Sequence, residues 1–207
     1  MIQPWLLEVD ALNIERGELD LIRDLSFAVG SGQLVHLQGP NGCGKTSVMR
    51  AIAGLVLPAA GSMRWNTAPI SELVDYSSHY SYVGHRYGLS EHLSPLENLA
   101  MLIDIRPIKP VRNAADALEL FNAASIAERP VRYLSAGQRQ RVALARLALF
   151  DTPLWLLDEP FTALDVDTRA RTETLMENHL EAGGIVVIAT HQAFDCRAPV
   201  TTISLAC

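Results

Sequence analysis

Gly39-Pro40-Asn41-Gly42-Cys43-Gly44-Lys45-Thr46 constrains this chain more than any other stretch of its 207 residues. Residues 33–38 before it (Gln-Leu-Val-His-Leu-Gln) have the apolar, β-tending character of a strand, and an amphipathic helix is expected over 45–56. A glycine-rich turn between strand and helix lets successive backbone N–H groups face inward on a bound phosphate. The helix N-terminus adds its positive dipole end, and Lys45 can reach the β- and γ-phosphates. The Thr46 hydroxyl suits Mg²⁺, a hard cation that takes oxygen ligands, and Ser47 follows it in the cradle. This pattern arises by accident in fewer than about one in a hundred chains of this length. Of 17 Lys and Arg residues only Lys45 and Lys109 are lysines. A general drift toward Arg that spares the cradle position is what a need for a compact ammonium would produce.

A second signal lies downstream. Leu154-Trp155-Leu156-Leu157-Asp158-Glu159-Pro160 is an apolar run ending in adjacent carboxylates. Such a run reads as a buried parallel strand that delivers its last residues to the crevice at the carboxyl edge of the sheet. Asp158 there can help hold Mg²⁺ through its water shell, and Glu159 is placed to orient and deprotonate an attacking water. Leu134-Ser135-Ala136-Gly137-Gln138 opens a third segment, expected to be helical over 138–150. A Ser before the first turn and a Gly inside it describe either an ordinary N-capped helix or a second anion site with free backbone donors. Nothing in one chain places that site near the first.

Taken together, the cradle, Leu134–Gln138, Asp158-Glu159-Pro160, Ala163-Leu164-Asp165 and His191 occur in the order found in ATP-binding cassette (ABC) ATPases, and the chain resembles that family over nearly its whole length. The resemblance implies an α/β fold of the ABC type: a RecA-like P-loop core with an antiparallel β subdomain and a helical subdomain. It implies one ABC ATPase domain over 1–207, with the nucleotide core at about 1–84 and 150–207 and a helical arm at about 85–149. It also implies a homodimer in which Ser135, Gly137 and Gln138 contact ATP held by the partner's cradle. By the same resemblance Asp165 lies in a loop between protomers, and His191 faces the γ-phosphate and the catalytic water.

Longer strings narrow the likeness. Residues 134–147 (LSAGQRQRVALARL), residues 154–167 (LWLLDEPFTALDVD), Thr190-His191-Gln192 and Gly84-His85 resemble the ATPase subunit of the haem exporter of cytochrome c maturation. That likeness implies integral membrane subunits as partners, at the cytoplasmic face of a bacterial inner membrane. The process implied is haem export or release of a haem-loaded carrier. Direct haem contact is not expected, since the histidines are scattered and no Cys-x-x-Cys-His occurs.

Two positions depart from the general family pattern. No Gln occurs between Gln38 and Gln138, so His85 stands where most ABC ATPases carry a glutamine. Imidazole is a poorer partner for Mg²⁺ than an amide oxygen. His85 therefore contacts the water, senses the membrane partner, or is a loop residue without catalytic effect. The aromatic residue that stacks on adenine is missing near 13–16, and Arg16 takes its place as a planar alternative.

The remaining features bound the reading. A net charge of −6 argues against a general nucleic-acid surface. No stretch approaches the ~20 apolar residues of a membrane span, and Met1-Ile2-Gln3-Pro4-Trp5 lacks signal-peptide character. Cys43, Cys196 and Cys207 have no metal-type spacing, and Cys43, inside the cradle, is expected to be shielded from alkylation by ATP. Arg139, Arg141 and Arg146 are expected to make interdomain ion pairs. Tyr87, Leu89 and Leu93 either receive a coupling helix of a membrane subunit or pack inside the arm.

Overall fold

The computed structural model describes residues 4–17, 19–84 and 87–205. One sheet is antiparallel, with order β2-β1-β4-β5, built from β1 (Leu6–Arg16), β2 (Leu19–Gly30), β4 (Ala60–Trp65) and β5 (Ala68–Pro69). The other is parallel, with order β6-β7-β8-β3-β9. Its strands are β3 (Leu34–Gln38), β6 (Tyr80–Val83), β7 (Leu154–Asp158), β8 (Ile185–Ala189) and β9 (Val200–Ser204). Helix α1 (Lys45–Ile52) follows β3, and α5 (Val166–Glu181) follows β7. Between β6 and β7 lie α2 (Pro95–Ile105), α3 (Ala114–Leu120) and α4 (Ala136–Ala145), joined by 3₁₀ turns.

Side-chain periodicity explains both sheets. Along β1 the buried residues are Leu7, Val9, Leu12 and Ile14, so the two-residue alternation slips by one after Val9. The strand absorbs the slip with a bulge at Ala11, whose φ is +45°, and the pairing with β2 shifts there. Without the bulge, Leu12 and Ile14 would face water. Strands β7 and β8 are buried at every residue, because a parallel sheet is covered on both faces. Leu154 and Leu156 join Ile185, Val187 and Ala189 in a core shared with α1 and the antiparallel sheet. Trp155 and Leu157 join Val186 and Ile188 in a core shared with α2–α5. Each side chain buried this way contributes about 1.5–3 kcal/mol.

Three helices are shorter than their sequence patterns suggest. α1 stops at Ile52, because Gly54 adopts a left-handed conformation just beyond its end. α3 covers only 114–120 of the expected 111–127, and Asn122 turns to positive φ after it. α4 tightens into a 3₁₀ turn at Arg146–Ala148. Tyr87 and Leu89 are half-buried and pack against the helical core, and Leu93 is half-buried as well. Of the three arginines expected in ion pairs, only Arg141 forms one among the described residues, with Asp165. Arg139 donates to the Val131 and Arg132 carbonyls, and Arg146 to the Gly88 carbonyl. Burial pushes the Arg146 pKa down to about 10.

Candidate functional site

Sheet order assembles the site. β8 lies between β3 and β7, with Leu37 opposite Ala189 and Ala189 opposite Asp158. The three strands therefore end level, and the residues that follow them emerge side by side: the cradle after β3, Glu159 after β7, His191 after β8. The positions sit far apart in the chain but only one or two strand spacings of about 4.8 Å apart in the sheet.

α1 is prepared for an anion. Side chains cap the other four α-helices, through Ser94, Asn113, Ser135 and Asp165, whereas α1 begins at Gly44 with no side-chain cap and no acid in its first turn. Its first-turn amides thus have no carbonyl or side-chain acceptor of their own. Gly44 has φ +100°, and a Cβ there would come within 2.8 Å of Ile22 Cδ1, so only glycine brings the loop this close to β2. Cys43 points the other way. Its side chain is 2% exposed within the core beneath α1, so only its backbone can serve the cradle, and ready alkylation of its thiol is not expected.

Functional side chains converge at the mouth of the cradle. Lys45 is buried and turned back on the loop, donating to the carbonyls of Gly39 (2.6 Å) and Pro40 (3.0 Å). His191 Nε2 lies 3.2 Å from Lys45 Nζ, 3.0 Å from Asn41 Oδ1 and 3.6 Å from Glu159 Oε1. An ammonium, an imidazole and a carboxylate thus surround one point. Glu159 is held there under strain: its φ is +53°, a conformation that costs a non-glycine residue about 1–3 kcal/mol. Two bonds hold it, from its N–H to the Ala189 carbonyl (2.8 Å) and from Gln140 Nε2 to the Pro160 carbonyl (2.7 Å).

Thr46 Oγ1 donates to Asp158 Oδ2 at 2.7 Å. Asp158 is 3% exposed, and among the described residues no Lys or Arg nitrogen lies within 4.0 Å of its carboxylate. A buried carboxylate needs a positive partner. A hydroxyl and a carboxylate side by side are hard oxygen donors, so this pair fits Mg²⁺.

Arg16, Leu21, Asn41, Lys45, Asp158 and Glu159 help line a cleft of about 460 Å³ together with Gly42, Gly44, Thr46, Ser47 and Arg50. Arg16 therefore shares the cradle's cleft. None of Ser135, Gly137 or Gln138 lines it. Ser135 and Gln138 form a reciprocal capping box, Ser135 N donating to Gln138 Oε1 (2.9 Å) and Gln138 N to Ser135 Oγ (3.2 Å). The first-turn amides of Ala136 and Gly137 remain without intrahelical acceptors. Asp165 caps α5 by accepting from Thr168 N (2.7 Å), and that bond, aided by Arg141, holds its carboxyl below the usual range. His85 lies outside the described residues.

Gln140 escaped the sequence reading although it stands three residues after Gly137 on the same helix face, a spacing that could have revealed it. It is 3% exposed and ties α4 to the loop after Glu159. Arg50, which lines the cleft from α1, left no such signal.

Comparison with known proteins identifies the family. The ABC transporter family model matches residues 22–162. The cytochrome c biogenesis ATP-binding export protein CcmA of Methylococcus capsulatus is 41% identical over 198 residues, covering 95% of this chain and 96% of that protein. Its namesake in Nitrosomonas europaea is 44% identical over 186 residues, covering 88% and 87%. Among solved structures, a dimeric, post-hydrolysis state of the ATP-binding cassette MJ0796 bound to ADP and Pi superposes with a TM-score of 0.80. That match has 24% identity and covers 90% of this chain and 88% of the other. The fold is that of an ABC ATPase cassette, and the chain belongs to the ABC transporter family, among its cytochrome c biogenesis ATP-binding export proteins.

Proposed function

We propose that this protein hydrolyses ATP as one half of a paired motor, in which two copies sandwich two nucleotides and drive membrane subunits. The activity is ATP hydrolysis within an ABC transporter complex of cytochrome c biogenesis, energising haem export or release of a haem-loaded carrier. The chain itself acts peripherally, at the cytoplasmic face of the inner membrane. Among the described residues no helix is long and apolar enough to cross a membrane.

The carrying observation is a division. Lys45, Asn41 and Glu159 each come within 3.6 Å of His191 Nε2, while Ser135, Gly137 and Gln138 stand outside their cleft. Helix α4 is left with donors and no phosphate of its own to meet. A second copy supplies one.

In the closed dimer the cradle amides and Lys45 grip the β- and γ-phosphates, and Lys45 exchanges its loop carbonyls for phosphate oxygens. Thr46 and Asp158 would hold Mg²⁺, which when bound neutralises charge on the β- and γ-phosphate oxygens. Glu159 accepts the proton of the attacking water, and His191 fixes that water and the γ-phosphate by hydrogen bonds. Arg16 lies against the base. The first-turn amides of α4 and the Ser135 hydroxyl close the γ-phosphate from the opposite protomer.

Mixing tests the division. Lys45→Ala and Ser135→Glu proteins, each inactive alone, form hybrids with one intact pocket. An equal mixture should regain up to about one quarter of the wild-type sites. A mixture as inert as its components, beside wild-type monomers hydrolysing ATP at full rate, overturns the paired reading.

A further inference from the structure

His36 belongs to neither the cradle nor the acid pair, yet it touches the segment that carries His191. It lies on β3, half-buried, in register with Ile188 of β8. β8 runs one residue further, and the ladder to β3 on one side and β7 on the other closes at Ala189. The next carbonyl, that of Thr190, has passed beyond both ladders while its residue is only 4% exposed. A buried carbonyl in that position needs a donor from elsewhere. His36 supplies it, with Nε2 3.0 Å from the Thr190 oxygen.

The chemistry of the partners points to one tautomer of the ring. A carbonyl can only accept, so Nε2 carries the proton and donates. The other nitrogen, Nδ1, lies 3.2 Å from Gln38 Nε2, an amide nitrogen that can only donate. With Gln38 so oriented, the bonds at both nitrogens match the Nε2–H tautomer of His36. The Phe194 ring meets the imidazole edge-on, with centroids 5.2 Å apart, and blocks it from swinging away. From the far side Arg169 bonds the Gln192 side chain (3.3 Å) and the Ala193 carbonyl. Residues 190–193 are thus pinned on both flanks, and His191 projects from between the pins.

We propose that His36 is a positioning residue for His191: by holding the Thr190 carbonyl it fixes the peptide from which the His191 imidazole projects. This rests on the reading of His191 as a group at the γ-phosphate. Removing the donor leaves the Thr190 carbonyl unsatisfied, and the peptide regains its bond only by rotating toward water. The His191 ring moves with it. A misplacement of this kind acts on the chemical step and spares the cradle that binds ATP. Glutamine at position 36 restores an N–H donor of similar reach, whereas leucine does not.

Three variants test the proposal: His36→Leu, His36→Gln and His191→Ala. His36→Leu should lower kcat about tenfold while KM for ATP and fluorescent-ATP affinity stay within about twofold, and His36→Gln should recover most of the loss. ¹⁵N spectra of the wild-type histidine rings should show His36 as the neutral Nε2–H tautomer at pH 7.5. The His191 ring signals should move in His36→Leu and return in His36→Gln. Wild-type kcat in His36→Leu, an Nδ1–H or charged His36, or unmoved His191 signals would each overturn the assignment. Full activity in His191→Ala would instead remove the reading beneath it, with the tautomer and the ring signals still deciding what His36 holds.

Discussion

Acid should loosen this protein through one buried imidazole. His179 on α5 stacks flat on Trp155 of β7, with ring centroids 4.0 Å apart and planes 7° from parallel. Burial pushes its pKa down to about 4, against the partial opposition of a bond to the Ile185 carbonyl. The sign follows from linkage. The folded pKa lies below the unfolded value of about 6.5, so the unfolded chain binds the proton more readily. The stability this group contributes is complete above about pH 6.5 and is lost as pH falls from there toward 4. At pH 5 the loss is about 2 kcal/mol, and below pH 4 it levels near 3 kcal/mol. Urea denaturation at pH 8 and pH 5 measures it, and a loss of this size moves the wild-type midpoint by about 1 M. His179→Phe keeps an aromatic ring on Trp155 and removes the titration. Its stability should therefore fall between the two pH values by about 2 kcal/mol less than the wild type. Carboxylates such as Asp165 titrate alike in both proteins and cancel. Equal losses in the two proteins would refute the reasoning. Since β7 ends at Asp158 and leads directly into Glu159, ATPase activity should track the same acid limb.

Gly137→Ala would place a Cβ 2.5 Å from the Ala163 carbonyl oxygen, a backbone atom that no rotamer change can relieve. The first turn of α4 must shift, with overpacking worth about 1–3 kcal/mol, and turnover should drop at least tenfold while one chain's own ATP affinity holds. Wild-type turnover would mean this contact is slack. Glu159→Gln should lower hydrolysis by roughly 10²–10⁴-fold with ATP still bound, read by single-turnover phosphate release. Near-normal hydrolysis would remove the general-base role. Mass-mapped alkylation should find Cys43 reacting at least ~10-fold slower than in unfolded protein even without ATP, because its thiol is in the core. Fast labelling of the nucleotide-free protein, suppressed by ATP, would restore the exposed thiol that the sequence suggested.

Whatever depends on contiguous residues was legible in the sequence. The turn from β3 into α1 needs only its own glycines and lysine. The run ending at Asp158 announces a buried strand by its composition, and Ser135 with Gln138 announces a helix start three residues long. Backbone conformation and capping are local, so a local string specifies them. Helix ends at Ile52 and Leu120 were harder, because a single left-handed residue, Gly54 or Asn122, outweighs good helix formers around it. Other features came only with the tertiary structure. No string says that β8 runs between β3 and β7, yet that order brings His191 within 3.6 Å of Lys45, Asn41 and Glu159. The packing of Cys43 into the core, Gln140's grip on the Pro160 carbonyl, and His36 beneath Thr190 are likewise contacts between segments far apart in the chain. They are decided by which hydrophobic faces share a core, a free energy summed over the whole molecule that no single segment contains.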